Sequence, residues 1–229
     1  METRFSSGLE ELEMTILQMA ALAEKALEKS TKALLERNDD LAREVLDEDR
    51  QIDMLELEVD RNSLKLLALG QPLARDLRFI IAALRIAVEL ERIGDQAANI
   101  ARRARSLNSG PPLPRNSALE ELADTALNML HTVISSFVNQ DTHIATEVCK
   151  MDDVADRLHS RILKDALAYM SKEAPAVERS VQTINAAKCL ERAADQTTNI
   201  AESVIFIVEG VNIKHHCQNG EQASGTRNG

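Results

Sequence analysis

The sequence predicts an all-α protein: two tandem, pseudo-symmetric, antiparallel three-helix bundles built from six long helices. Composition is one reason. Of 229 residues only 2% are aromatic, with no Trp, 8 Gly and 5 Pro. Ala, Leu, Glu, Arg and Ile dominate instead, and such a mixture favours helix over sheet. Periodicity is another: apolar residues recur at three- and four-residue intervals through six segments, and no alternating run competes. The most specific reason is an internal repeat. Residues 88–103 (VELERIGDQAANIARR) return one hundred positions later as residues 188–203 (KCLERAADQTTNIAES). Leu90, Glu91, Arg92, Asp95, Gln96, Asn99, Ile100 and Ala101 all recur at that offset.

Leu9, Leu12, Ile16, Met19, Ala23 and Leu27 place a first helix over residues 7–36. Asn38-Asp39-Asp40 is a break rich in capping residues, and a second helix continues through Leu69. Gly70-Gln71-Pro72 stops it, with Pro near the start of a third helix that runs to Leu107. Asn108-Ser109-Gly110-Pro111-Pro112-Leu113-Pro114 reads as the one clear linker. The pattern then repeats, with a helix from Ser117 to Val138, a cap near Asn139-Gln140-Asp141, and a helix to Tyr169. Pro175 precedes a last helix ending near Val211. The expected divisions are therefore 1–108 for the first bundle, 109–116 for the linker and 117–213 for the second bundle. Residues 214–229 are polar and Gly-rich, and are expected to be disordered.

The formal charge of −10 argues against non-specific nucleic-acid binding, which needs a basic footprint. Three widely spaced cysteines without a C-x-x-C give no disulfide framework in the sequence and suit a reducing cytoplasm. No run approaches the length of a membrane span, and the N-terminal residues carry acids where a signal peptide has its apolar segment. A soluble, cytoplasmic protein is expected, reaching a membrane only through partners.

Glu91 and Asp95 are four apart, so a helix sets them about 40° from each other, one turn along. Leu77, Ile81, Leu84 and Val88 precede them on the same side, while Ile86, Leu90, Ile93 and Ile100 form a second apolar side. That pattern predicts a helix buried along much of its girth. Glu191 and Asp195 repeat the arrangement behind Val177, Val181 and Ile184. The middle helices carry matching pairs. Asp49 and Asp53 share a face with Val45, Leu46, Leu57 and Leu64, and Asp152 and Asp156 share one with Ala145, Cys149, Leu163 and Leu167. Like charges four apart destabilise a helix by roughly 0.2–0.5 kcal/mol, and burial adds to that cost. A multivalent cation offsets it, and all-oxygen donors favour a hard metal such as Mg, Ca, Mn or ferric iron. Arg50, Arg92, Arg157 and Arg192 lie close enough in sequence to offset it by ion pairing instead.

Leu90-Glu91-Arg92-Ile93-Gly94-Asp95 and Leu190-Glu191-Arg192-Ala193-Ala194-Asp195, each followed by Asn and Ile-Ala, resemble the PhoU family of phosphate-transport regulators. So does Pro72-Leu73-Ala74-Arg75-Asp76-Leu77-Arg78, and the match covers residues 5–212. The resemblance implies two three-helix bundles with multinuclear metal clusters at the E/D-x-x-x-D motifs. By motif match the ligands are Asp49, Asp53, Glu91 and Asp95 in the first lobe and Asp152, Asp156, Glu191 and Asp195 in the second. The metal (iron, manganese, magnesium or similar) stays unassigned. The resemblance also implies a non-enzymatic, cytoplasmic homodimer that represses the phosphate-starvation response. Its implied partners are a sensor histidine kinase and the ATPase subunit of the high-affinity phosphate ABC transporter. Two departures stand out: Ala193-Ala194 replaces Ile93-Gly94, and Ala176-Val177-Glu178-Arg179-Ser180 lacks the Asp-Leu-Arg of the first lobe.

Two other readings stand beside this one. One is a helical scaffold whose acids are solvated or ion-paired. The other is a di-iron carboxylate enzyme, which needs Glu-x-x-His on two helices. The nearest approach here is Asp156-Arg157-Leu158-His159, and it occurs once. No phosphate-binding Gly-rich loop or nucleophile–base set supports a kinase, ATPase or hydrolase. Arg102, Arg103 and Arg105 suit the negative end of a helix, and His215-His216-Cys217 reads as inert tail.

Overall fold

The computed structural model describes residues 2–70 and 72–211; the polar tail and His215-His216-Cys217 lie outside them. The described residues are helical almost throughout. They form α1 (Glu2–Leu35), α2 (Asp39–Glu48), α3 (Arg50–Leu69), α4 (Ala74–Asn108), α5 (Ser117–Asn139), α6 (Thr142–Met170) and α7 (Val177–Glu209). A single 3-10 turn, Ala174–Ala176, leads into α7, with Pro at its start. Among the described residues no helix is long and apolar enough to cross a membrane.

The turns were written in capping residues. Asn38 accepts backbone N–H bonds from Asp40 and Leu41, at 3.0 and 3.1 Å. Asp141 does the same for His143 and Ile144, at 2.9 and 3.2 Å. Asn116 caps α5 in the same way. Such side chains satisfy amide donors that the first helical turn leaves orphaned. Just before the first two caps stand Arg37 and Gln140, with φ of 58° and 50°. Neither is glycine, so both hold the left-handed region against the Cβ clash that disfavours it.

One expectation fails. The second helix is not continuous through Leu69; it breaks at Asp49 into α2 and α3. Asp49 keeps helical angles, but the Ile52 amide reaches back only three residues to its carbonyl, at 3.2 Å. Both segments pack against α1 and α4. In the second lobe α6 runs unbroken through the corresponding Asp152.

Helices α1 to α4 pack together, as do α5 to α7, and the two sets meet chiefly through α4 against α7. That contact is antiparallel. Arg78 Nε donates to the Ile207 carbonyl near one end, and Arg103 donates to Gln182 Oε1 near the other. Ala82, Ala83, Ala97, Ala98 and Ala101 on α4 and Ala186, Ala187, Ala193, Ala194 and Ala201 on α7 are fully buried. Small side chains allow close helix approach, and a core poor in aromatics needs it. The buried hydrophobic residues form one cluster that runs through both sets of helices.

Burial also corrects the reading of the apolar stripes. Ile86, Leu90, Ile93 and Ile100 are buried, as are Val45, Ala145 and Cys149, but much of the rest of the stripes that carry the acids opens to solvent. Leu64 is 66% exposed and Leu167 53%, and Leu57, Leu77, Val88, Leu163, Val177 and Val181 are exposed too. Helical period identifies a stripe; it does not say which stripe the neighbouring helices cover.

Candidate metal centres

Each lobe places its acids where the middle helix runs beside the third. In the second lobe α6 supplies Asp152 and Asp156, and α7 supplies Glu191 and Asp195. Asp156, Glu191 and Asp195 each offer a carboxylate oxygen, and the three lie within 4.8 Å of one another. Glu191 is 8% exposed and Asp152 9%. Oδ1 of Asp152 is buried without a hydrogen-bond partner. Leaving a carboxylate oxygen buried and unpaired is costly unless a cation or proton meets it. Burial, with Asp156, Glu191 and Asp153 nearby, pushes the Asp152 carboxyl up to about 6. Burial, then Glu191, Asp152 and Asp156, pushes Asp195 up to about 7, against a smaller opposing pull from Lys188.

The donor set fits a hard cation. Oxygens across one ion sit about twice the metal–oxygen distance of ~2.0–2.6 Å apart. The spread of the Asp156, Glu191 and Asp195 oxygens falls within that span. His159, one turn from Asp156, does not join the convergent group, which is carboxylate alone.

The first lobe uses the same residue types more loosely. Asp49 lies at the α2–α3 break and Asp53 one turn into α3, and charge couples Asp49 to Asp95, and Asp53 to Glu91, on α4. Burial is the largest cause that raises the Asp49 carboxyl, followed by Asp95 and Asp53, with Arg102 opposing. Burial, then Asp95, Glu56 and Asp53, pushes Glu91 up to about 7, with Arg92 opposing. The four carboxylates are coupled by charge, while the tight three-oxygen convergence occurs, among the described residues, in the second lobe.

Ion pairing does not neutralise either cluster. Among the described residues Asp49, Asp53, Glu91 and Asp95 make no salt bridge, and Arg92 is drawn to Glu89 instead, at 3.1 Å. In the second lobe one cation intervenes: Lys188 Nζ lies 2.7 and 2.6 Å from the two oxygens of Glu191. Two participants escaped the sequence reading. Glu56 is raised by burial, then by Asp60 and Asp53, and so belongs electrostatically to the first cluster; its signal was a position three residues after Asp53. Lys188, three residues before Glu191, was the other.

Comparison with known proteins gives a consistent result. The model of the PhoU domain matches the chain twice, over residues 16–104 and 119–204. The phosphate-specific transport system accessory protein PhoU homolog of Pseudomonas putida is 34% identical over 213 residues, covering 93% of this chain and 83% of that protein. The homolog from Aquifex aeolicus is 36% identical over 207 residues, 90% of this chain and 94% of that one. The crystal structure of PhoU from Pseudomonas aeruginosa superposes with a TM-score of 0.88 at 33% identity, covering 90% of this chain and all (100%) of that one. The phosphate transport system regulatory protein PhoU from Streptococcus pneumoniae gives 0.85 at 25% identity, covering 91% and 98%.

Proposed function

The chain belongs to the PhoU family, and from that premise we propose that it is a negative regulator of the phosphate-starvation response and of high-affinity phosphate uptake. The family is one of regulatory and accessory proteins of phosphate transport and is not enzymatic. What carries the finer reading is the extent of the likeness, 34% identity over 93% of the chain to a phosphate-transport accessory protein. In this reading the protein works in the cytoplasm as a homodimer. It binds a sensor histidine kinase and the ATPase subunit of the phosphate ABC transporter, and reaches the membrane only through them. The exposed apolar stripes beside both acidic clusters support a binding role, since exposed apolar area rimmed by charge suits partner contact.

The same reading assigns a hard metal to each acidic cluster. Asp49, Asp53, Glu91 and Asp95 would hold it in the first lobe, and Asp152, Asp156, Glu191 and Asp195 in the second. When bound, the metal supplies positive charge and a rigid link between two helices. The convergent oxygens and the orphaned Asp152 oxygen support this assignment.

Two experiments test the proposal. The chain is expressed in a bacterium lacking its own PhoU homologue, and a phosphate-controlled promoter is read out. Repression at high phosphate is expected to return; constitutive expression alongside a folded, abundant protein would refute the regulatory reading. Elemental analysis of untagged protein is expected to find iron, manganese or a similar ion. The Glu91→Ala/Asp95→Ala and Glu191→Ala/Asp195→Ala variants should each lose one lobe's share. A metal-free protein that still represses would remove metal from the acids' role.

A further inference from the structure

Position 188 separates the lobes. The first lobe has Val88 three residues before its repeat glutamate, and the second has Lys188. The Lys188 ammonium engages both oxygens of Glu191, at 2.7 and 2.6 Å, and Glu191 is one of the three convergent carboxylates. No counterpart exists in the first lobe, where Arg92 is bound to Glu89 and the four acids lack a salt bridge among the described residues. Even that arrangement is not repeated, because Cys189 replaces Glu89.

We propose that Lys188 is the resident cation of the second acidic cluster, holding Glu191 within the carboxylate triad and competing with metal for that residue. The inference rests on the metal reading above and adds that the two centres are unequal. A metal ion can use the first cluster without displacing a protein cation, whereas at the second the ammonium must first leave Glu191. That departure is feasible. The Lys188 side chain is 43% exposed and flexible, so its head group can move into water while Glu191 stays buried. Until it leaves, the ammonium offsets repulsion among Asp152, Asp156, Glu191 and Asp195, which keeps the metal-free lobe folded around its acids.

The test isolates the second cluster by using the full chain with Glu91→Ala/Asp95→Ala as background. Manganese(II) alone is titrated while the free ion is followed by electron paramagnetic resonance. Lys188→Val, copying the first lobe, and Lys188→Met, keeping the side chain's length, are expected to tighten binding by up to about fivefold, the range set by a half-exposed ion pair. Metal-free, both variants should melt below the background protein, and saturating manganese(II) should close that gap. In the otherwise unaltered chain, Val88→Lys should weaken binding at the first cluster.

Unchanged or weaker manganese(II) binding in the Lys188 variants would overturn the competition. An unchanged metal-free melting temperature would overturn the counter-ion role. If the unaltered chain itself bound no manganese(II), iron(II) or magnesium, the metal reading would fail and the competition with it. The metal-free melts would then still decide whether Lys188 is the partner of Glu191.

Discussion

The two lobes carry the same acids in different settings. In the second, α6 runs unbroken past Asp152, three carboxylates converge within 4.8 Å, and a lysine already sits on one of them. In the first, the counterpart Asp49 lies at a helix break, its three partners are coupled only through charge, and valine stands where the lysine would be. Packing differs in parallel. A Cβ added to Gly94 would lie 2.7 Å from Cδ1 of Ile52. The matching positions in the second lobe are Ala155 and Ala194, both fully buried. A large residue against none has become two small ones, with less side-chain volume between the helices. Duplication has preserved the donors and their spacing, while helix continuity, local volume and neighbouring charge have drifted. Equal ligand sets therefore do not imply equal sites.

The packing difference offers the largest test. Ile52→Ala removes buried methyl groups and leaves Gly94 facing a void, so it should cost about 2–4 kcal/mol. Gly94→Ala alone improves helix propensity by about 1 kcal/mol but drives its methyl into Ile52, for a net loss of about 1 kcal/mol. The double variant recreates the second lobe's pair and should fall short of the summed losses by about 1 kcal/mol or more. Urea unfolding of the four proteins measures the cycle. Strict additivity would mean that the two positions do not compensate and that the lobes differ for another reason.

A smaller effect comes from pH. Glu91 in the first lobe and Asp152 and Asp195 in the second have folded-state values raised to about 7, about 6 and about 7. A raised carboxyl binds its proton more tightly when folded, so it favours the folded state at low pH. That contribution is complete below about pH 4 and is lost as pH rises through about 6 to 7. Metal-free protein should therefore have a lower urea midpoint at about pH 8 than at about pH 5. Glu91→Gln should flatten the first lobe's part of this slope, and Asp195→Asn the second lobe's. With a hard divalent cation in excess the sign should reverse, because the ligands must be deprotonated to bind it. A midpoint that does not move with pH would show that burial and the neighbouring carboxylates do not raise these groups.

Much of this molecule could be read directly from its residues. Asn38, Asn116 and Asp141 declare helix starts because short polar side chains compete for backbone amides there. Glu91, Asp95, Glu191 and Asp195 stood out through a repeated polar pattern, and Asp49, Asp53, Asp152 and Asp156 through matching four-residue spacing on the middle helices. Other features were silent for physical reasons. Asp49 has helical angles, so nothing local marks the break. Leu57 and Leu64 on α3 and Leu77 on α4 stand at helical spacing in apolar stripes, yet all three are exposed, because period alone does not say which face a neighbouring helix covers. Lys188 looked like an ordinary surface lysine until α6 brought Asp156 close to Glu191 and gave the ammonium a cluster to serve.

The smallest expected effect concerns the paired left-handed residues. Arg37 and Gln140 occupy equivalent turns at nearly equal φ, so glycine should relieve the same backbone strain at each. Their side chains differ in what they hold. The Arg37 guanidinium donates to the carbonyls of Asn108 and Gly110, at 3.0 and 2.6 Å, tying the turn to the start of the linker. Among the described residues the Gln140 side chain accepts a single exposed bond, from Arg75, at 2.8 Å. Gln140→Gly should stabilise the protein by about 0.5–1 kcal/mol, whereas Arg37→Gly should be near neutral because the lost charged hydrogen bonds offset the relieved strain. Thermal melts of the two variants decide it. Equal gains would mean that the Arg37 tether contributes nothing, and that the linker is positioned by its prolines and by Arg179, which donates to the Pro111 carbonyl at 2.9 Å.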